Sequence, residues 1–164
     1  VKLAVQELVV RAPAERVYRL LVDDALFVQW MAPEATLDPV VGGAIRWTHL
    51  NGDTCSGHYV ELDPPRRVVF TYGWERSDVE IPPGSTTVEI DLVALGPGET
   101  RLRLVHRGLG DAAADAHQGG WGHYLDRLRS LAEGHPPGAD PWADRRVPTP
   151  AELAARHRSP RRIP

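Results

Sequence analysis

The sequence predicts an α+β domain of order β-α-α-β(about six)-α, in which a strongly curved antiparallel sheet wraps a long C-terminal helix around an internal apolar cavity. Three observations carry this expectation. Residues 42–107 consist of alternating apolar and polar runs separated by short turn signals. Strands joined so closely must pair antiparallel, because parallel pairing needs a long crossover. One long helical stripe follows them, and it is the only long element left to cover the sheet's apolar face,.

Size and composition agree with one domain. The chain has 164 residues, 42% hydrophobic and 25% charged, which is ordinary for a globular protein with its own core,. A net charge of −3 gives no reason to expect nucleic acid or an anionic membrane as partner,. The lone cysteine, Cys55, leaves no intrachain disulfide and no cysteine zinc site, which fits a reducing compartment,. Apolar runs fall far short of a membrane span, and no basic leader precedes one, so the cytoplasm is the expected location,. Charge is uneven along the chain. Residues 1–134 carry 13 Lys+Arg against 19 Asp+Glu, whereas residues 135–164 carry six Arg against three acids and seven of the fifteen prolines. The expected organisation is an acidic folded body, 1–134, followed by a Pro/Arg-rich tail, 135–164.

Taken in order, Lys2–Arg11 reads as a strand through Leu3, Val5 and the run Leu8–Val10,. Pro13 and Glu15 open a helix carrying Val17, Leu20 and Leu21 on one face,. Asp23 or Asp24 caps a short second helix bearing Leu26, Phe27, Trp30 and Met31, which Pro33 ends,. Gly42–Gly43 turns into the strand Ala44–Leu50, where Ile45, Trp47 and His49 share a face. Asn51–Gly52 signals a two-residue hairpin loop, and Asp53–Leu62 returns,. Arg67–Trp74 aligns Val68, Phe70, Tyr72 and Trp74; Thr86–Leu95 aligns Val88, Ile90 and Leu92; Thr100–Arg107 aligns Leu102, Leu104 and His106,. A helix from about Ala113 to Glu133 then places Trp121, Leu125, Leu128 and Ala132 on one stripe,. Gly119, Gly120 and Gly122 each weaken it by roughly 1 kcal/mol relative to alanine, which suggests close approach to the sheet or a kink. In the tail, Thr149–Pro150–Ala151–Glu152 is a capping box for a short helix over about 150–157,.

Several strings carry a family resemblance. They are Val10–Arg11–Ala12–Pro13–Ala14–Glu15–Arg16–Val17, Val41–Gly42–Gly43–Ala44–Ile45–Arg46–Trp47, Asp63–Pro64–Pro65–Arg66–Arg67–Val68–Val69–Phe70–Thr71–Tyr72, Thr100–Arg101–Leu102–Arg103–Leu104–Val105–His106 and Gly120–Trp121–Gly122–His123–Tyr124–Leu125–Asp126–Arg127–Leu128. In this order they resemble the helix-grip superfamily of START-like or SRPBCC proteins. Within it they resemble the branch named after the C-terminal domain of the activator of the heat-shock-protein ATPase. The resemblance spans residues 1–134 and implies a fold and a pocket rather than one activity. Relatives include lipid and sterol carriers, polyketide aromatase/cyclases and plant hormone receptors.

The residues themselves narrow the chemistry. Seven histidines show no metal-ligand spacing, and neither Gly42–Gly43 nor Gly119–Gly120 has the context of a phosphate loop, so no metal or cofactor is expected,. Cys55 and Ser56 have no adjacent base. His49 and His106 fall on the cavity-facing class, where a neutral imidazole can orient a ligand or move a proton; each also reads as a half-buried polar residue bonded to backbone or water. Tyr72 can orient a ligand through its hydroxyl, or serve as a core aromatic. Trp30, Trp47, Trp74 and Trp121 come from four elements that converge on one volume, and with Leu125 they suit a flat hydrophobic guest. The expected ligand-binding set is therefore Trp30, Trp47, His49, Tyr72, Trp74, His106, Trp121 and Leu125, with no catalytic residue assigned. The expected function is binding of a hydrophobic, aromatic or polycyclic small molecule by a monomer or homodimer. The alternatives are an aromatase/cyclase-type enzyme and a protein that sequesters a reactive natural product.

Overall fold

A computed structural model describes residues 2–143, 145–146 and 148–158. The elements are β1 (Ala4–Val10), α1 (Ala14–Val22), α2 (Asp24–Phe27), β2 (Glu34–Leu37), β3 (Ala44–Thr48), β4 (Thr54–Asp63), β5 (Arg67–Tyr72), β6 (Thr86–Gly96), β7 (Glu99–Arg107), α3 (Asp111–Ala132) and α4 (Pro150–Arg158). Among the described residues the strands form one seven-stranded sheet in the order β1-β7-β6-β5-β4-β3-β2, every neighbouring pair antiparallel. This is the expected helix-grip arrangement, with α3 lying in the concave face.

Register explains why the alternation in the sequence becomes a core. Val68 pairs with Ile90 and Phe70 with Val88; across the next seam Ile90 pairs with Leu104, and Leu92 with Leu102. All are buried. Each such side chain removed from water contributes about 1.5–3 kcal/mol, and a one-residue slip would turn the whole set outward.

Three local details differ from the sequence reading. The strand β2 was not anticipated: its four residues, Glu34–Leu37, give too short a pattern, yet Leu37 pairs with Ile45 and is buried. Asn51–Gly52 does mark a hairpin, but the loop is longer than two residues. His49 N–H donates to Asp53 O at 2.8 Å, enclosing Leu50, Asn51 and Gly52, with Gly52 at φ +89° in the left-handed region,. Asp23, one of the two expected caps, does cap α2, accepting from Ala25 N at 3.0 Å, but the helix ends at Phe27, and Trp30 and Met31 follow in turns rather than on the helix.

Helix α3 is fastened to the sheet at its β1 edge. Gln6 Nε2 donates to Gln118 O at 2.8 Å, Val5 N–H donates to Gln118 Oε1 at 3.3 Å, and Lys2 pairs with Asp115. A Cβ at Gly122 would lie 2.9 Å from Gln6 Nε2, the movable end of the side chain that holds the helix here. At Gly119 and Gly120 an added Cβ would meet nothing within 4 Å. The helix thus sits hard against β1 and leaves space over β3–β5.

At the far end of β5 the backbone is tight. A Cβ on Gly73 would strike the carbonyl of Pro82. Gly73→Ala is expected to lower unfolding stability by about 2–3 kcal/mol in urea titration. Gly119→Ala, in an exposed helical position, should raise it by about 1 kcal/mol. Equal midpoints for Gly73→Ala and the unmodified protein would show that this approach is not close.

Candidate functional site

The space under α3 is a cavity of about 440 Å³. Its floor is Trp47 on β3, Cys55 on β4, Tyr72 on β5 and Trp74 just beyond it. Register brings these together, since Trp47 pairs with Cys55 and Cys55 bridges to Trp74. The roof is His117, Gly120, Trp121 and Tyr124, all on α3. Cys55 carries a protonated thiol, because burial pushes its pKa well above the usual value, so it is not a nucleophile,. Burial likewise raises the Tyr72 phenol, which lies beside that thiol and stays neutral,.

Two indole N–H groups hold the aromatic walls in place. Trp121 Nε1 donates to His106 Nδ1 at 3.1 Å. An indole nitrogen can only donate, so His106 Nδ1 accepts and its Nε2 carries the proton. That proton goes to Thr86 Oγ1 at 2.8 Å, and Thr86 Oγ1 donates on to Tyr72 O at 2.8 Å. Trp74 Nε1 donates to His117 Nε2 at 3.1 Å, and His117 Nδ1–H donates to Ala113 O at 2.8 Å. Both ring nitrogens of both histidines are therefore committed. Burial, reinforced by the nearby His117, pushes the His106 pKa down to about 2; burial also lowers that of His117,. Each is a neutral pillar, tied into a helix-to-sheet bond.

The mouth carries a second chain of contacts. Trp47 Nε1 donates to His49 Nε2 at 3.3 Å, so the neutral His49 bears its proton on Nδ1, facing the Tyr124 hydroxyl at 3.4 Å,. Tyr124 donates to Asp140 Oδ2 at 2.8 Å, and His123 Nε2 lies 2.7 Å from Asp140 Oδ1. Burial lowers the His49 pKa, against the opposing pull of Asp140 and Asp53. Trp142 stacks on His123 at 4.0 Å with the rings 6° apart, and the Arg145 guanidinium lies 4.0 Å above Trp142. Arg127 Nη2 donates to Gly138 O at 2.9 Å, and Asn51 Nδ2 donates to Arg145 O at 2.8 Å. The segment after α3 thereby runs from the helix to the β3–β4 turn along the cavity mouth. The expected capping box forms reciprocally at the start of α4: Thr149 N–H to Glu152 Oε2 at 3.0 Å and Glu152 N–H to Thr149 Oγ1 at 3.3 Å.

Of the eight residues expected at a ligand site, the structure brings Trp47, His49, Tyr72, Trp74 and Trp121 to the cavity. Three lie elsewhere. Trp30 is buried in the core beside Phe27, its Nε1 donating to Leu20 O at 2.9 Å. His106 stands behind Trp121 with no exposed surface. Leu125 lies one turn further along α3 and is packed in the core. Sequence reasoning passed over His117 and Tyr124, which sit four residues before and three after Trp121, on the same helical face. Extending the stripe backward would have found His117. The mouth residues Trp142 and Arg145 belong to a segment read as a tail, and no local pattern announces their docking.

The buried histidines set a pH dependence of stability. His106 and His117 stay neutral in the fold but protonate in the unfolded chain below about pH 6.5, so the unfolded state binds more protons there. Their contribution is present above that pH and is lost as pH falls from 6.5 toward the depressed folded values. Between pH 7.5 and 5 His106, whose folded pKa is about 2, should cost about 2 kcal/mol of unfolding free energy in denaturant titrations, and His117 acts in the same direction,. A flat profile across this range would contradict their burial as neutral groups.

The sequence matches the protein family described as "Activator of Hsp90 ATPase homolog 1-like protein" over residues 11–133. No curated protein matches it significantly. Among solved structures, an AHSA1-like protein from Rhizobium etli is 37% identical, with 90% of this chain and 91% of that one covered and a TM-score of 0.64. CalU16 from Micromonospora echinospora is 24% identical, covering 82% of this chain and 76% of that one at a TM-score of 0.66. The Aha1 dimer from Colwellia psychrerythraea is 20% identical, covering 82% and 98% at a TM-score of 0.67. The last two share the fold. The family match and the Rhizobium relative show more: the chain belongs to the Activator of Hsp90 ATPase homolog 1-like family.

Proposed function

We propose that the protein binds a flat, hydrophobic small molecule in the cavity between the sheet and α3. The observation that carries this reading is a cavity of about 440 Å³ walled by Trp47, Tyr72, Trp74 and Trp121. That volume suits a small organic guest. The walls are set before a ligand arrives, because Trp74 and Trp121 are held by hydrogen bonds to buried imidazoles; binding then costs little side-chain ordering. Indole faces favour stacked aromatic or polycyclic guests.

The histidines support binding rather than proton transfer. His106 has no exposed surface and both nitrogens engaged, and His49 faces Trp47 and Tyr124. Among the described residues no helix is long and apolar enough to cross a membrane.

A panel of polycyclic aromatics and fatty acids should quench tryptophan fluorescence saturably. Gly120→Leu provides the control. A Cβ there meets nothing within 4 Å, so leucine extends into the cavity, while its better helix propensity adds about 0.5–1 kcal/mol of stability. The expected result is a more stable protein that no longer binds. Absence of any response in fluorescence or melting temperature across the panel would overturn the proposal.

A further inference from the structure

We infer that the guest is an apolar monocarboxylic acid, its ring system between the indoles and its carboxylate at the arginines of the segment after α3. This inference rests on the cavity reading above and names the chemical class of the ligand.

The cavity is chemically asymmetric. Its interior wall is indole, phenol and thiol, whereas its mouth includes Arg145, Arg146 and Arg156. All three are exposed, and among the described residues none forms an ion pair. Among the described residues, the acidic groups nearest the mouth are already engaged. Asp53 pairs with Arg76 at 3.3 Å, and Asp78, which feels the field of Arg146, pairs with Arg76 at 2.7 Å. Asp140 is held by His123 and Tyr124, and Glu152 folds back onto its own capping box. An acidic body therefore presents a cationic rim at the opening of its apolar cavity.

The rim is also organised. Arg145 lies on Trp142, which lies on His123 of α3, and Asn51 of the β3–β4 turn holds the Arg145 carbonyl. Stacking fixes a guanidinium plane without using up its N–H donors, which remain available for a carboxylate. Asp53 and Asp140 near the same opening disfavour a dianion more than a monoanion,. A single carboxylate is the anion that fits.

The test compares 1-pyrenebutyric acid with 1-pyrenebutanol, which share a ring system and differ in charge. Affinities are read by fluorescence at about 0.05 M and about 0.5 M salt. The acid should bind the unmodified protein about tenfold more tightly than the alcohol at low salt, a gap that narrows at high salt. In Arg145→Gln/Arg146→Gln/Arg156→Gln the gap should close because the acid loses about tenfold in affinity while the uncharged alcohol loses far less. Equal affinity of acid and alcohol for the unmodified protein would overturn this inference and leave the cavity reading standing. Binding of neither probe by the unmodified protein would overturn both.

Discussion

Two hydrogen bonds from indole to imidazole hold helix α3 at a fixed distance from the sheet, and the cavity exists because of them. Trp121 to His106 ties the helix to β7, and Trp74 to His117 ties the end of β5 to the helix. Each acceptor is locked from behind, His106 by Thr86 and His117 by the Ala113 carbonyl. Were either imidazole to take up a proton, its acceptor nitrogen would be lost and a buried charge created. Desolvation prevents this at neutral pH, and so the same burial that shapes the walls also keeps the pillars neutral.

The two sides of α3 are then put to different uses. Against β1 the helix is close, and the Gln6 side chain that holds it lies over Gly122. Over β3–β5 it stands away, and Gly119 and Gly120 leave the gap open rather than filling it. Interiors normally close-pack, so an unfilled volume of this size between rigid aromatic walls reflects geometry imposed from outside it. The sheet's curvature, the β1 anchor and the two indole bonds supply that geometry.

Much of this was legible in the chain. Period-two alternation in Val68–Tyr72, Val88–Leu92 and Leu102–His106 specified the strands and which face of each is buried; the pairing that aligns them was supplied by the structure,. The stripe Trp121–Leu125–Leu128 specified the face of α3. What could not be read was depth along a shared face. Trp30, Leu125 and His106 point inward as expected, but they are covered by neighbours, while Trp47, Tyr72 and Trp121 border empty space. Alternation separates inside from outside; it does not separate core from cavity wall. The docking of the segment after α3 was equally hidden, since its contacts with Arg127, His123, Tyr124 and Asn51 follow no local sequence pattern. Only the Thr149–Glu152 capping box, a local contact, was visible beforehand.

The central claim is that a guest occupies the volume between fixed indoles. Nitrogen-15 spectra of the indole N–H groups observe those walls one by one. On addition of an apolar aromatic ligand, the signals of Trp47, Trp74 and Trp121 should move with a common saturation curve while that of Trp30, buried in the core, stays in place. Stationary signals from Trp47, Trp74 and Trp121 at ligand saturation would contradict the account.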